Sequence, residues 1–209
     1  MQSYIDNLYK DRPSISKAKY ITETKLQDFI PVVDEDVART LALILQISKA
    51  KQVLEIGTSI GYSTVSMAKI LQQQNGRITT IEYDEVVADQ AKCNFINAGI
   101  NEIVDLKIGD ARDILPTLES ESYDLIFLDV DKTLYKPLLK TCISLLKRGG
   151  ILLAEDTLFP ILNLEEKWRY LIPSIEAFNQ AIIKSDEIDS TILPIGDGLT
   201  IAVKKLKAH

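Results

Sequence analysis

Short apolar runs alternate along this chain with longer segments whose apolar residues recur every three or four positions, which predicts strands separated by helices. Residues 34–48 carry Val37, Leu41, Ile44, Leu45 and Ile47 at helical spacing, with Asp34 or Asp36 placed near the start. That helix is expected to cover the first strand, the run Val53, Leu54 and Ile56 that stops at Gly57. A helix over about 62–73, the turn Gln74-Asn-Gly76 and a β-branched run over 78–83 complete one strand-helix-strand unit. The pattern repeats as a helix at about 85–97, a strand at 104–108, a short helix after Asp110, a strand at 124–130, a helix at about 134–147 and a strand at 151–154. Trp168, Leu171, Ile172, Ile175, Phe178 and Ile182 then mark one side of a further helix, which Pro173 either kinks or starts. Finally, strands at 190–195 and 199–203 flank Gly196-Asp-Gly198 as a hairpin.

This alternation predicts an α/β fold: seven strands, mostly parallel, with helices on both faces and a C-terminal antiparallel hairpin. At 209 residues the chain suits one domain. Residues 1–35 are polar with scattered aromatics, punctuated by Pro13 and Pro31; they are expected to form a helix or two and to act as a lid or an oligomer contact.

Composition removes several alternatives. A formal net charge of −6 argues against a nucleic-acid surface, which needs a clustered basic stripe. Small molecules are the expected partners. The N-terminus lacks a basic segment followed by an apolar core, and no apolar run approaches the ~20 residues of a membrane span, so a cytoplasmic protein without membrane contact is expected. Cys93 and Cys142 fall in helical patterns and are expected to be buried as small apolar residues. The only histidine is the terminal His209, which leaves no His-based triad or histidine-rich metal site unless the tail folds back. Chemistry therefore falls to carboxylates, lysines and hydroxyls.

The stretch from Lys51 to Thr64, Lys-Gln-Val-Leu-Glu-Ile-Gly-Thr-Ser-Ile-Gly-Tyr-Ser-Thr, is a strand entering a helix through a glycine turn. Such a turn lets backbone approach a ligand and presents a helix N-terminus to it. Its Glu55-x-Gly57-x-x-x-Gly61 spacing is neither Gly-x-Gly-x-x-Gly nor a P-loop, which disfavours a dinucleotide-dependent oxidoreductase and a triphosphate site. Glu82 ends the next strand, where an acid is placed to hold ribose hydroxyls, so a nucleoside ligand is favoured. Asp129-Val-Asp-Lys132 and Glu155-Asp156 end the fourth and fifth strands, on the same ligand-bearing edge. Three carboxylates converging there suit a hard divalent cation such as Mg²⁺. Lys132, placed near a metal and a cationic cofactor, becomes a candidate general base, although nearby carboxylates oppose that. Asp110, in Gly109-Asp-Ala-Arg112, is both a helix N-cap and a candidate purine contact. Phe159, Trp168 and Tyr170 are candidates to wall an apolar substrate, though Trp168 at helical spacing also fits the core.

Taken together, five segments resemble class I S-adenosylmethionine-dependent methyltransferases, specifically the cation-dependent family of caffeoyl-CoA and catechol O-methyltransferases. They begin with Val53-Leu-Glu-Ile-Gly-Thr-Ser-Ile-Gly-Tyr-Ser-Thr64, Thr80-Ile-Glu82 and Phe127-Leu-Asp-Val-Asp-Lys132. Gly149-Gly-Ile-Leu-Leu-Ala-Glu-Asp156 and Leu193-Pro-Ile-Gly-Asp-Gly-Leu-Thr-Ile-Ala-Val203 follow. The resemblance implies a Rossmann-like sheet and a methyl transfer to a hydroxyl of a small phenolic, catechol-like or hydroxycinnamoyl-type acceptor. It places Glu55, Gly57, Gly61 and Ser63 around the methionine end of the cofactor, Ser59 and Tyr62 among its other contacts, Glu82 at the ribose, and Asp110, Ala111 and Arg112 at adenine. Asp129 becomes the first metal ligand and a cofactor neighbour, Lys132 the residue that takes the hydroxyl proton, and a homodimer is expected. Gap-free counting puts Glu155 and Asp156 where the family usually carries Asp-Asn, while a one-residue shift would pair Asp156 with Thr157. That departure leaves metal choice open and keeps a competing expectation alive: a cofactor-binding homologue whose metal site is altered or lost, with a different acceptor or no methyl transfer.

Overall fold

The computed structural model describes residues 2–9, 16–26, 29 and 31–206; Pro13 and the terminal His209 lie outside them. Strands β1 (Gln52–Ile56), β2 (Arg77–Glu82), β3 (Val104–Ile108), β4 (Tyr123–Leu128) and β5 (Leu146–Ala154) are mutually parallel. Strand β7 (Leu199–Lys204) runs antiparallel between β5 and β6 (Ile188–Leu193), which closes one edge. The sheet order is β3-β2-β1-β4-β5-β7-β6.

Strand periodicity sorts the core into two layers. Val53, Leu125, Phe127 and Leu153 face a cluster built with α3 (Glu35–Ser48), α4 (Tyr62–Gln73) and α5 (Glu85–Ala98). Leu54, Ile56, Ile126, Leu128, Leu152 and Ala154 face the other cluster, built with α7 (Tyr135–Leu145) and α8 (Ile172–Ile183). Burial on both faces is why the central strands read as continuous apolar runs. The expected architecture is borne out. Ahead of it, α1 (Gln2–Tyr9) and α2 (Lys17–Glu23) fill part of the N-terminal segment, while α6 (Ala111–Ile114) is the short helix after β3.

The differences are local. β5 begins at Leu146 rather than at 151, because Leu146 already pairs with Tyr123 across an irregularity in the β4–β5 register. Gly150 permits that path: a Cβ there would lie 2.8 Å from the Lys147 carbonyl oxygen and 3.2 Å from that of Asp124. Pro173 starts α8 rather than kinking it, since a first-turn proline forfeits no helical hydrogen bond. Trp168 lies before that helix, in a 3₁₀ segment, and packs partly buried against the α7–α8 cluster. Ile47 is 80% exposed, off the stripe formed by Val37, Leu41 and Leu45. Cys142 is buried as expected, its thiol pushed up to about 12 by burial, but Cys93 is exposed because it falls outside the Ala88, Ala91 and Phe95 stripe of α5.

The strand order reverses between β1 and β4, and in such sheets the crevice beyond the carboxyl ends opens at that point. Here the two strand ends touch. The Asp129 N–H donates to the Ile56 carbonyl at 2.9 Å, and Gly57 adopts φ +102° with no side chain between it and Asp129. A Cβ at Gly57 would lie 1.9 Å from the Asp129 carbonyl oxygen. Both the clash and the left-handed backbone penalise any other residue. Gly57→Ala is therefore expected to cost about 2–4 kcal/mol of stability, read as a lower urea midpoint. A variant as stable as the parent would contradict this packing.

Candidate active site

The N–H groups of the turn after β1 are held largely by β2 beside it. Gly57 and Thr58 donate their N–H groups to the Ile81 carbonyl at 3.0 and 3.2 Å, and the Gly61 N–H donates to Thr58 at 2.9 Å. Ser59 adopts φ +48°, and its N–H donates to Glu82 Oε2 at 2.7 Å. The loop and the acid that ends β2 are thus one hydrogen-bonded unit. Gly61, at φ +86°, enters α4 where a Cβ would meet the Phe95 ring at 2.4 Å.

Beneath the loop, Glu55 is fully buried. Its Oε1 accepts from Ser63 Oγ at 2.5 Å and its Oε2 from Thr80 Oγ1 at 2.6 Å, with the Thr64 hydroxyl donating to Oε2 as well. Thr58 and Thr80 share a further hydroxyl contact of 2.6 Å. Three neutral donors partly replace lost hydration. Burial nevertheless pushes the carboxyl up to about 7, with Asp129 adding to the rise and the hydroxyls opposing it.

Across the Gly57 contact, Asp129, Glu155 and Asp156 each bring a carboxylate oxygen within 4.8 Å of the others. The Glu155 N–H donates to Leu128 at 3.3 Å, which continues the β4–β5 ladder past the strand end, and Asp156 turns into the crevice at φ +62°. Lys132, only 8% exposed, reaches into this cluster from the turn before α7. Its Nζ lies 2.8 Å from Asp129 Oδ1, 2.9 Å from Asp156 Oδ2 and 3.0 Å from the Tyr135 hydroxyl. Tyr135 in turn donates to the Leu128 carbonyl at 2.9 Å. Burial alone would discharge the ammonium, but Asp129, then Tyr135, Asp156 and Glu155, hold its pKa well above the ordinary lysine value. Glu155 moves the opposite way to an ordinary surface acid: burial first, then hydrogen bonding to Asp156, pushes it well up. Asp156, despite burial, is held below the usual range by Lys132.

Among known proteins, residues 10–205 match the O-methyltransferase family. The chain belongs to that family. A catechol O-methyltransferase of Niastella koreensis is 32% identical over 97% of this chain and 95% of its own. A caffeoyl-CoA O-methyltransferase of Medicago sativa is 28% identical over 82% of this chain and 74% of its own. The crystal structure of an O-methyltransferase from Bacillus cereus in complex with SAH superposes with a TM-score of 0.79 at 26% identity, covering 97% of each chain. The motif resemblance is borne out, and with it the assignment to S-adenosylmethionine-dependent methyltransferases.

In this methyltransferase the expected site residues fall into four groups. Gly57, Ser59, Gly61 and Glu82 gather at the mouth of the loop, and Asp129, Lys132, Glu155 and Asp156 gather across it. Asp110, Ala111 and Arg112 follow β3 beside Glu82, whose carbonyl accepts the Gly109 N–H at 2.8 Å. Asp110 caps α6 through the Arg112 N–H at 2.8 Å and also pairs with the exposed Arg112 guanidinium. The side chains of Glu55, Tyr62 and Ser63, in contrast, are buried under the loop rather than aimed into the crevice. Thr157 is spent elsewhere, its hydroxyl donating to the Gly198 carbonyl at 3.1 Å and accepting from Thr200.

Sequence reasoning missed Thr58, Thr80, Tyr135, Tyr20 and Asn94. Thr80 shares strand parity with Ile78 and Glu82, a signal that was available. Tyr20 and Asn94 act across 40 and 34 residues of sequence, which no local pattern encodes.

The raised Glu55 pKa has a signed consequence for stability. A carboxyl that binds its proton more tightly when folded contributes stability fully below the unfolded value of 4.5 and loses it as pH rises through about 7. The loss is on the order of 3 kcal/mol. Glu55→Gln cannot titrate, so its melting temperature is expected to fall less than the parent's between pH 5 and 8. Parallel melting-versus-pH curves for the two proteins would refute this.

Proposed function

We propose that this methyltransferase moves the methyl group of S-adenosylmethionine onto a phenolic hydroxyl of a small catechol-like or hydroxycinnamoyl-type acceptor, with a divalent cation such as Mg²⁺ held by Asp129, Glu155 and Asp156. The supporting observation is that the glycine loop and a three-carboxylate cluster lie on the two sides of one backbone contact, Gly57 against Asp129. A nucleoside beside Glu82 and an acceptor beside Asp129 are then neighbours.

On the cofactor side, Glu82 keeps acceptor capacity beyond its bonds to the Ser59 and Asp84 N–H groups, which suits ribose hydroxyls. Gly57, Ser59 and Gly61 supply a backbone surface for the methionine end, shaped from below by Glu55, Ser63 and Tyr62. Asp110, Ala111 and Arg112 border adenine. S-adenosylmethionine supplies an electrophilic methyl group, and these residues fix its direction.

On the acceptor side, the donor set fits a hard cation, because three carboxylates converge and no softer ligand lies among them. A dication there supplies Lewis acidity that lowers the pKa of an acceptor hydroxyl. Asp129 and Asp156 are also among the groups that keep Lys132 charged. With their oxygens engaged elsewhere, Lys132 would lose two of the partners that raise its pKa and be better able to accept the hydroxyl proton. Tyr135 holds the lysine in reach throughout. By the same resemblance the protein forms a homodimer; no described helix is long and apolar enough to cross a membrane.

One observation favours a second reading. Lys132 already sits between two carboxylates at 2.8 and 2.9 Å, as a built-in cation, which fits a homologue that has given up its metal. A screen of phenolic acceptors with radiolabelled methyl donor, with and without metals, separates the readings. Turnover that depends on an added dication and stops in excess chelator is the expected result; turnover indifferent to chelator would remove the metal. Lys132→Ala is expected to lower turnover by about 100-fold or more while leaving cofactor affinity near that of the parent. It also leaves the carboxylates unneutralised, so added Mg²⁺ should raise its melting temperature more than the parent's. Equal shifts would argue against metal binding by these acids.

A further inference from the structure

The glycine loop is gripped from a side that strand and helix patterning does not reveal. The carbonyl of Ile60 lies between two left-handed residues, Ser59 at φ +48° and Gly61 at φ +86°. It accepts from two side chains of distant elements: the Tyr20 hydroxyl of α2 at 3.0 Å and Asn94 Nδ2 of α5 at 2.9 Å. A carbonyl has two lone pairs, so these two donors can satisfy it. The donors are themselves joined. Asn94 Nδ2 also lies 3.4 Å from Thr24 Oγ1, and that hydroxyl donates to the Tyr20 carbonyl at 3.0 Å. The Tyr20 ring stands edge-on to Tyr62, the first residue of α4, with centroids 5.4 Å apart.

The peptide that carries the Ile60 carbonyl also carries the Gly61 N–H, which is bound to Thr58. Both ends of one peptide plane are therefore held. That plane joins Ile60 to Gly61, and a glycine at φ +86° offers little resistance to the backbone change by which the plane would turn over. Nothing else among the described residues holds the carbonyl end. The grip of α2 is also anchored at its start, where the Lys17 N–H donates to Glu35 Oε1 at 2.9 Å and Lys17 Nζ pairs with Asp34 at 2.7 Å.

We propose that Tyr20 and Asn94 are positioning residues for the cofactor: by donating to the Ile60 carbonyl from two separate helices they hold the glycine loop in its ligand-binding shape, which makes α2 a working part of the site. This rests on the S-adenosylmethionine reading of the loop. Neither residue touches the cofactor in this scheme. Their effect is on how much of the population has the loop set for binding, so it falls on cofactor affinity and not on the chemical step.

The test is calorimetric titration of S-adenosylhomocysteine into the parent, Tyr20→Phe, Asn94→Ala and Thr22→Ala, with melting temperatures for each. Tyr20→Phe keeps the ring against Tyr62 and removes only the donor. Thr22 lies on α2, but among the described residues its hydroxyl bonds only to the Lys19 carbonyl of the same helix. Loss of one neutral hydrogen bond predicts that Kd rises about three- to tenfold in Tyr20→Phe and in Asn94→Ala, with Thr22→Ala near the parent. In steady state the KM for S-adenosylmethionine should rise with kcat and the acceptor KM little changed. A merely structural tyrosine would lower the melting temperature and leave the Kd alone. Tyr20→Phe binding within twofold of the parent overturns the proposal while the cofactor reading stands. No binding by the parent at millimolar ligand overturns the cofactor reading itself, and the proposal with it.

Discussion

The approach of Gly57 to the Asp129 carbonyl is the constraint on which the site depends. The strand order reverses between β1 and β4, so the chain leaves these neighbouring strands in opposite directions and a crevice opens at their ends. A side chain at Gly57 would wedge the two ends apart. Its absence lets the β1–β4 ladder run one residue further, through the Asp129 N–H. The turn that approaches the nucleoside and the strand end that carries the carboxylates thereby share a wall. Ligands bound on either side would be neighbours across a wall of backbone, which is the stiffest means of holding them.

Stiffness alone leaves the problem of buried charge, and the chain meets it in two ways. Glu55 is dissolved in hydroxyls: three neutral donors on two elements accept the cost of a carboxyl poised near neutrality. The cluster at Asp129, Glu155 and Asp156 instead takes in an ammonium, and Tyr135 closes the fourth side. Hydroxyl solvation is fixed and local, and it suits a residue that shapes a loop. An ion pair can be exchanged for another cation, and it suits a place where charge must change. The difference explains why Glu55, the first acid of the motif, is sealed while Asp129 and Asp156 keep partial access to the crevice.

Most of the fold was legible because parallel strands buried on both faces and helices with a single apolar stripe leave distinct periods, and glycine punctuates them. The boundaries that shifted did so where non-local pairing outweighed local pattern. Leu146 joined the sheet because Tyr123 stood opposite, and Cys93 went outward because the stripe of α5 is set by Ala88, Ala91 and Phe95. At the site, the acids were legible as strand ends. Their orientation was not: Glu55 and Glu82 look equivalent in sequence, yet one lies within β1 under α4 and the other ends β2 beside the loop. Tyr20 and Asn94 left no signal because each is defined by a carbonyl tens of residues away.

The two acid groups are also not independent. Asp129 is among the influences that raise Glu55, across the same backbone contact that joins the loop to the cluster. Positive charge near Asp129 offsets that influence and favours the ionised form of Glu55, which in turn strengthens the hydroxyl bonds from Ser63, Thr64 and Thr80 to it. The coupling needs no moving part, only a sealed carboxylate on β1 and a partly buried one just past the end of the neighbouring strand β4.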